Sequence, residues 1–294
     1  MRPLLSAICL ALGLIAMGCG SDSSDQSAET GEDEVAENEG VALTRWLPPG
    51  DSSYLAVDLG DLREEMGVEP DADVISSPDP DEPLAGLTGG VLSPFSGVLI
   101  DQEVLEALGL GAAQAAASSS DVGMSVIATD ADADEVQSNL EAMGFRAEDE
   151  ALVRAGEPSG FVVRDGLIFP TPDATALDEL PSAPAEEVPD TLLEPASGFY
   201  VNVLVSDPGQ CVEAQATVLG NDGQGELRYR FAEDLELSEQ TITAKDVDGV
   251  NFGTPVVDGD TITVEATGRP DSAAIPEAVS KYLPVSNEFA LDDC

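Results

Sequence analysis

The folded part of the chain opens with a strand pattern, a helix pattern and a loop pattern. Residues 53–57 are mostly apolar and predict a strand, while Leu59–Met66 predicts a helix that Gly67 would end, because glycine accepts the left-handed conformation found there. Residues 69–83 are rich in proline and acidic side chains and predict a loop. We therefore treat residues 44–120 as an N-terminal segment of strand, helix and loops.

A more regular unit follows over residues 121–190. An apolar run at residues 123–129 predicts a strand, Asp130 begins a helical pattern, and Gly144 ends it. Strands after this helix meet at Asp165-Gly166, a dipeptide that accepts the backbone conformation of tight hairpins.

Residues 191–294 resemble a second copy of that unit. Asp207, Pro208 and Gly220 suit the N-cap, the first turn and the C-terminus of a helix. Residues 211–218 also alternate like a strand, and the capping residues decide our prediction in favour of a helix.

Both copies end in a further helical pattern, after Pro172 and after Pro270. The repeated unit is therefore β-α-β-β-β-α, present twice. This arrangement predicts the α+β class, with antiparallel sheets and helices packed on one face.

The first residues have the layout of an export signal. Arg2 supplies positive charge, and the apolar run at residues 4–17 is shorter than the roughly 20 residues that a membrane-spanning helix needs. We therefore predict that residues 1–18 are a signal peptide that is removed.

The residues around the predicted cleavage point resemble a known motif. Ile15, Ala16, Met17 and Gly18 precede Cys19, as in the lipobox of bacterial lipoproteins, although leucine is usual at Ala16 and a smaller residue at Met17. The resemblance implies that Cys19 becomes the N-terminus and carries lipid, which would anchor the protein to a membrane of the cell envelope, facing the periplasm or the exterior. Several acyl chains anchor stably, whereas one alone binds reversibly. Ordinary cleavage to a secreted protein is the alternative.

Residues 19–43 are predicted to be the lipid anchor and a disordered tether. They hold few large apolar side chains and many acidic ones, so they cannot form a core of their own. The layout after this tether, with Leu47-Pro48-Pro49 at the start of the folded part, resembles lipoproteins of unknown function encoded by high-GC bacteria. That resemblance implies no activity.

The charge of the chain excludes one class of partner. It has 58 acidic and 11 basic residues, a net charge of −47, and such a surface repels nucleic acid. The acidity is consistent with solubility in salty or crowded surroundings and also with capture of cations.

Histidine is absent from the chain, which removes the commonest general base near neutral pH and the commonest metal ligand. We therefore predict a protein that is not an enzyme. A hydrolase that uses paired carboxylates is the remaining catalytic alternative.

Two cysteines remain after the signal peptide and the lipid are accounted for. Cys9 leaves with the signal, Cys19 takes the lipid, and Cys211 and Cys294 are left in an oxidising compartment. Such a pair predicts a disulfide, with two free thiols as the alternative.

One acidic segment has the spacing of a calcium-binding loop. Asp130, Asp132, Asp134 and Glu141 match positions 1, 3, 5 and 12 of an EF-hand, but Glu135 replaces the glycine at position 6. The alternative is that the aspartates cap and line the first turn of a helix. Calcium is the one cofactor for which the sequence offers a candidate.

These observations lead to two functional hypotheses. The first is a non-catalytic lipid-anchored envelope protein that binds or scaffolds another envelope protein. The second is a solute- or calcium-binding lipoprotein that serves a transporter.

Overall fold

A computed structural model describes most of the chain beyond the predicted tether. The described residues are 38–75, 102–120, 123–148, 150–156, 160–164, 166–171, 180–194, 198–207, 210–232, 235–239, 241–244, 250–268 and 289–291. All of them belong to one compact unit, Val35–Cys294. The predicted signal peptide, Cys19 and the helices predicted after Pro172 and Pro270 lie outside the described residues.

Strands outnumber helices in the described part of the chain. The helices are α1 (Glu39–Leu43), α2 (Leu59–Met66), α3 (Gln102–Leu108) and α4 (Ala133–Ala142). The strands are β1 (Ser53–Asp58), β2 (Ala113–Ser119), β3 (Ser125–Thr129), β4 (Phe145–Glu148), β5 (Ala151–Arg154), β6 (Gly160–Arg164), β7 (Leu167–Thr171), β8 (Tyr200–Val205), β9 (Val212–Leu219), β10 (Gln224–Phe231), β11 (Ile242–Ala244), β12 (Val250–Phe252), β13 (Val256–Asp258), β14 (Thr261–Gly268) and β15 (Phe289–Leu291).

Thirteen of these strands form a single sheet. Its order is β12-β14-β10-β9-β8-β1-β2-β3-β7-β6-β5-β4, with β13 also paired to β14. Strands β11 and β15 pair with each other in a separate small sheet. Every pairing among the described strands is antiparallel.

The large sheet buries apolar side chains on both faces, because successive residues of a strand point to opposite sides. On one face, Leu55 and Val57 of β1 pack with side chains of α2, α3 and α4. On the other face, Tyr54 and Ala56 pack with α1 and with the segment at residues 180–194. A third cluster, which includes Phe231 and Ile262, lies at the β10–β14 end.

The predicted α+β class is wrong. A large antiparallel sheet dominates the described residues, and the helices are few and short. The two predicted copies also differ, because the first contains helix α4 and the second has a strand at the corresponding place.

Residues 211–218 account for much of this error. We predicted a helix there, and the structure has strand β9. Ala214, Ala216 and Val218 are buried on one face of the sheet. Strands β8 and β10 bond to the two edges of β9, so sheet pairing on both sides outweighs the local capping signal. Gly220 has an extended conformation and does not end a helix; it precedes the short 3-10 turn Asn221–Gly223.

The predicted tether extends too far toward the C-terminus. Residues 38–43 were assigned to it, but Glu39–Leu43 forms α1, with Val41 and Leu43 buried. Gly40 makes this packing possible, since a Cβ atom there would collide with the backbone of Val57 in β1. Two apolar side chains in an acidic segment were enough to join it to the core.

The sheet also crosses the domain boundaries proposed from sequence. Strand β2 pairs with β3 across the boundary at 120/121, and β1 pairs with β8 across the boundary at 190/191. The β1–β8 pairing joins residues far apart along the chain and leaves no local pattern, so the sequence analysis separated segments that the sheet joins.

Candidate functional site

The four acidic residues of the predicted calcium loop are spread along helix α4 and the turn before it. Asp132 is the N-cap of α4, and its Oδ1 accepts a hydrogen bond from the Glu135 amide at 3.0 Å. Asp130 Oδ2 accepts from Gln114 Nε2 at 3.0 Å, and Glu141 Oε1 accepts from Gln137 Nε2 at 2.9 Å.

Asp134 lies exposed in the first turn of α4. Within the described residues, no three acidic or cysteine side chains come close enough together to hold a metal ion. The structure therefore places these four acids as capping and surface residues, and it does not bring them together as a calcium site.

The structure describes one of the two cysteines of the predicted disulfide. Cys211 directly precedes β9, and its carbonyl accepts a hydrogen bond from Ala232 at 3.1 Å. Cys294 lies outside the described residues, although Leu291, three residues before it, pairs with Ile242. Ile242 belongs to the cluster against which Val212 packs. The two chain segments therefore reach the same end of the domain, and the disulfide stays a prediction.

Residues 180–194 cross one face of the sheet as a segment that we call the strap. Four arginines donate hydrogen bonds to it. Arg45 reaches Glu194 at 3.5 Å and Arg164 reaches the Pro181 carbonyl at 3.2 Å. Arg228 reaches the Leu192 carbonyl at 3.1 Å, and Arg230 holds Asp190. In a chain with so few basic residues, this concentration of arginines marks the strap as a fixed part of the fold.

The strongest of these contacts joins the strap to β10. Arg230 makes a two-pronged contact with Asp190, with nitrogen–oxygen distances of 2.9 and 3.0 Å. Burial lowers the pKa of Arg230, but the hydrogen bonds and charge of Asp190 outweigh it, so the net shift is upward. Asp190 also accepts the Leu192 amide at 2.9 Å and so shapes the turn of the strap.

A cleft of about 500 Å³ opens at the end of the sheet where β9 ends, β10 begins and β14 ends. Its size falls within the range of about 300–1,000 Å³ that is usual for small-molecule sites. We call it the β10–β14 cleft. Its lining is Gly198, Val218, Gly220, Asn221, Gln224, Gly225, Glu226, Glu265, Ala266 and Thr267.

One glycine of the cleft lining, Gly198, stands at a close approach of two backbone segments. A Cβ atom on Gly198 would overlap the carbonyl of Leu219, so only glycine lets the two backbones approach this closely. The carbonyl of Gly198 also accepts a hydrogen bond from the side chain of Asn38, which ties the cleft to the start of the folded chain.

Two carboxylates lie next to each other in the lining of the cleft. The register of β10 and β14 sets Glu226 directly opposite Glu265, so both side chains lie on the same face of the sheet. Arg228, the next residue on that face of β10, donates from Nε to Glu226 Oε1 and is 7% exposed in its side chain. Arg228 therefore joins the cleft to the strap.

Two further titratable groups with shifted pKa values, Arg63 and Tyr54, have structural roles. Burial lowers the pKa of Arg63, whose guanidinium bonds the carbonyls of Ala72, Ala113 and Gly111 at 2.8, 2.7 and 3.3 Å. Burial raises the pKa of Tyr54, whose hydroxyl donates to the Pro48 carbonyl at 2.9 Å. Both side chains tie loops to the sheet.

The cleft was not predicted from sequence. Charged and apolar residues alternate from Glu226 to Phe231, a pattern typical of a strand with one polar face, and the structure has β10 there with Glu226 and Arg228 on one face. The partner Glu265 lies on β14, and only the register of the sheet places it opposite Glu226. The alternation in β14 was the available signal, since it displays Thr263, Glu265 and Thr267 on one face as well.

Comparison of the chain with protein-family models, with curated proteins and with solved structures finds no match. None of the helices in the described residues has the length and apolar character needed to cross a membrane.

Proposed function

We propose that this chain is a non-catalytic lipoprotein of the bacterial envelope, held to a membrane by lipid on Cys19, and that its β-sheet domain binds another envelope component. The motif before Cys19 supports the lipid anchor, and the acidic residues that follow Cys19 support the tether. The domain then stands away from the lipid headgroups, toward the periplasm or the exterior.

One structural observation carries the proposal: the point where the predicted tether meets the domain is firmly fixed. Asn38 is buried, and its Oδ1 accepts the Val41 amide at 3.1 Å while its Nδ2 donates to the Gly198 carbonyl. Thr44 Oγ1 then bonds the Val41 carbonyl at 2.6 Å, so α1 is held at both ends. The predicted tether, joined to the domain at such a point, would hold the domain near the membrane without loosening its fold.

The test of the anchor is lipid labelling in an expressing bacterium that is fed a clickable fatty acid. Wild-type protein is expected to take up label and to sediment with membranes. Cys19→Ala is expected to lose both properties while the domain stays folded, because Cys19 precedes the domain.

Cys9→Ala is the matched control, since it removes the other N-terminal cysteine and leaves the motif intact. It is expected to be labelled like wild type. A Cys19→Ala protein that still carries lipid or stays with the membrane would overturn the proposed anchor and favour another mode of attachment.

The β10–β14 cleft gives specific support to the alternative of a solute-binding lipoprotein. Its volume suits a small molecule and its lining is mostly polar. The same cleft gives little support to a hydrolase, because Glu265 is exposed and the side chain of Glu226 is 30% exposed, whereas that mechanism needs one carboxyl kept protonated by burial.

A further inference from the structure

The charged side chains that the structure describes at the β10–β14 cleft are two carboxylates and one guanidinium. Glu226 and Glu265 stand directly opposite each other, and like charges in that arrangement destabilise a sheet. Arg228 compensates Glu226 through its Nε hydrogen bond. Among the described residues, no hydrogen bond or ion pair reaches the Glu265 carboxylate. The two carboxylates and one guanidinium leave a single negative charge, which a monovalent cation would neutralise.

The neutral groups of the cleft suit a cation with several N–H donors. Asn221 and Gln224 offer amide oxygens and Thr267 offers a hydroxyl oxygen near the two carboxylates. An alkylammonium group has three donors and needs three such acceptors. Val218, which stands opposite Glu226 in the register of β9 and β10, adds an apolar side chain on the same face, against which the methylenes of an alkyl chain would pack.

A divalent metal ion fits this cleft less well. Calcium takes six to eight oxygen ligands at short range, and the described residues hold no group of three metal-binding side chains. The volume of about 500 Å³ is also far larger than a bare ion requires. Size, charge and donor count therefore favour an organic amine.

We propose that the β10–β14 cleft binds an alkylammonium group, with Glu265 as its principal charge partner, Glu226 held in place by Arg228, and Thr267 as a hydrogen-bond acceptor. The group belongs to a free diamine or to a lysine side chain of a partner protein. This site deepens the proposed binding role, but it does not depend on the lipid, so the two proposals fail separately.

The test uses the purified full chain and isothermal titration calorimetry at physiological salt. The probes are cadaverine, acetyl-lysine amide with its free side-chain amine, and calcium chloride. We expect each amine to bind saturably, with one ammonium group per chain. Glu265→Gln should weaken the affinity for the amine about tenfold or more, because a charged hydrogen-bond partner is lost. Stronger binding of cadaverine indicates a free amine, and stronger binding of the lysine compound indicates a protein side chain.

Two matched controls separate this site from attraction to the acidic surface. Glu148→Gln removes an exposed carboxylate from β4 at the other end of the sheet and should leave binding unchanged. Thr267→Val should weaken binding, whereas Thr263→Val, on the same face of the same strand but outside the cleft lining, should not. Unchanged thermal melting of each variant would show that the fold is retained.

Three results would overturn the proposal. The first is no saturable binding of either amine. The second is equal weakening by Glu265→Gln and Glu148→Gln, which would mean general charge attraction. The third is saturable calcium binding at the cleft with no amine binding. Lipid labelling at Cys19 could succeed in every one of these cases.

Discussion

The inner strands and the outer strands of the sheet use their two faces differently. In β1, four consecutive residues, Tyr54 to Val57, are buried, and β2 is buried along nearly its whole length. In β14, buried Ile262, Val264 and Ala266 alternate with half-buried or exposed residues. Inner strands are covered on both faces, whereas β14 is covered on one.

The difference explains where polar chemistry can occur in this protein. A strand packed on both faces is a continuous apolar run, while a strand packed on one face alternates and leaves side chains free to meet a ligand. The polar faces of β10 and β14 hold Glu226 and Glu265, with the strap bound beside them through Arg228. The inner strands support the fold, and the outer strands offer the site.

The largest expected effect is the loss of a core side chain from an inner strand. Leu55→Ala should lower the free energy of unfolding by about 2–5 kcal/mol, because it opens a cavity beneath the helices. Thr263→Ala, on the polar face of β14, should change it by less than about 0.5 kcal/mol. Urea denaturation of both variants measures the contrast. Equal losses would mean that the two regions do not differ as we describe.

The next effect concerns the strap. Arg230→Ala should lower the free energy of unfolding by about 1–3 kcal/mol, because it leaves the nearly buried Asp190 carboxylate without its two-pronged partner. Arg146→Ala, at an exposed position of β4, is the matched control and should leave the free energy of unfolding nearly unchanged. The double variant Asp190→Ala with Arg230→Ala should lose less than the sum of the single losses, and strictly additive losses would show that the pair is not coupled.

A smaller effect distinguishes structural acids from acids of the cleft. Asp132→Ala should lower the free energy of unfolding by about 1 kcal/mol, because it removes the N-cap of α4. Asp134→Ala should lower it by less. Glu265→Gln should change the free energy of unfolding by less than about 0.5 kcal/mol in the absence of ligand, and should raise it, because it removes the repulsion from Glu226. Denaturation with and without millimolar calcium measures these changes. Calcium stabilisation of wild type that Asp132→Ala abolishes would favour the loop as a metal site.

Several elements were predictable because local residues decide them. Strand β1, helix α2 with Gly67 in the left-handed conformation, and the β6–β7 hairpin with Gly166 at positive φ all lie where the pattern indicates. The helix after β3 is also present, although its N-cap is Asp132 rather than Asp130. Caps and tight turns depend on neighbouring residues, so the local sequence is sufficient for them.

Other features depend on partners far along the chain. Residues 211–218 carry both a strand alternation and helix-capping residues, and the choice was made by β8 and β10 on either side. The end of the tether was set by the contact of Gly40 with β1. Neither contact has a signature within the segment that it reorganises.

The sequence by itself determined the character of this protein: an acidic chain without histidine, a motif that resembles a lipobox at Cys19, and the local turns and caps of its folded part. Only the tertiary structure decided that the strands join in one sheet and that Glu226 and Glu265 meet in a cleft. The physical reason is register. Local patterns determine which face of a strand a side chain occupies, but only strand pairing determines which residue stands opposite it.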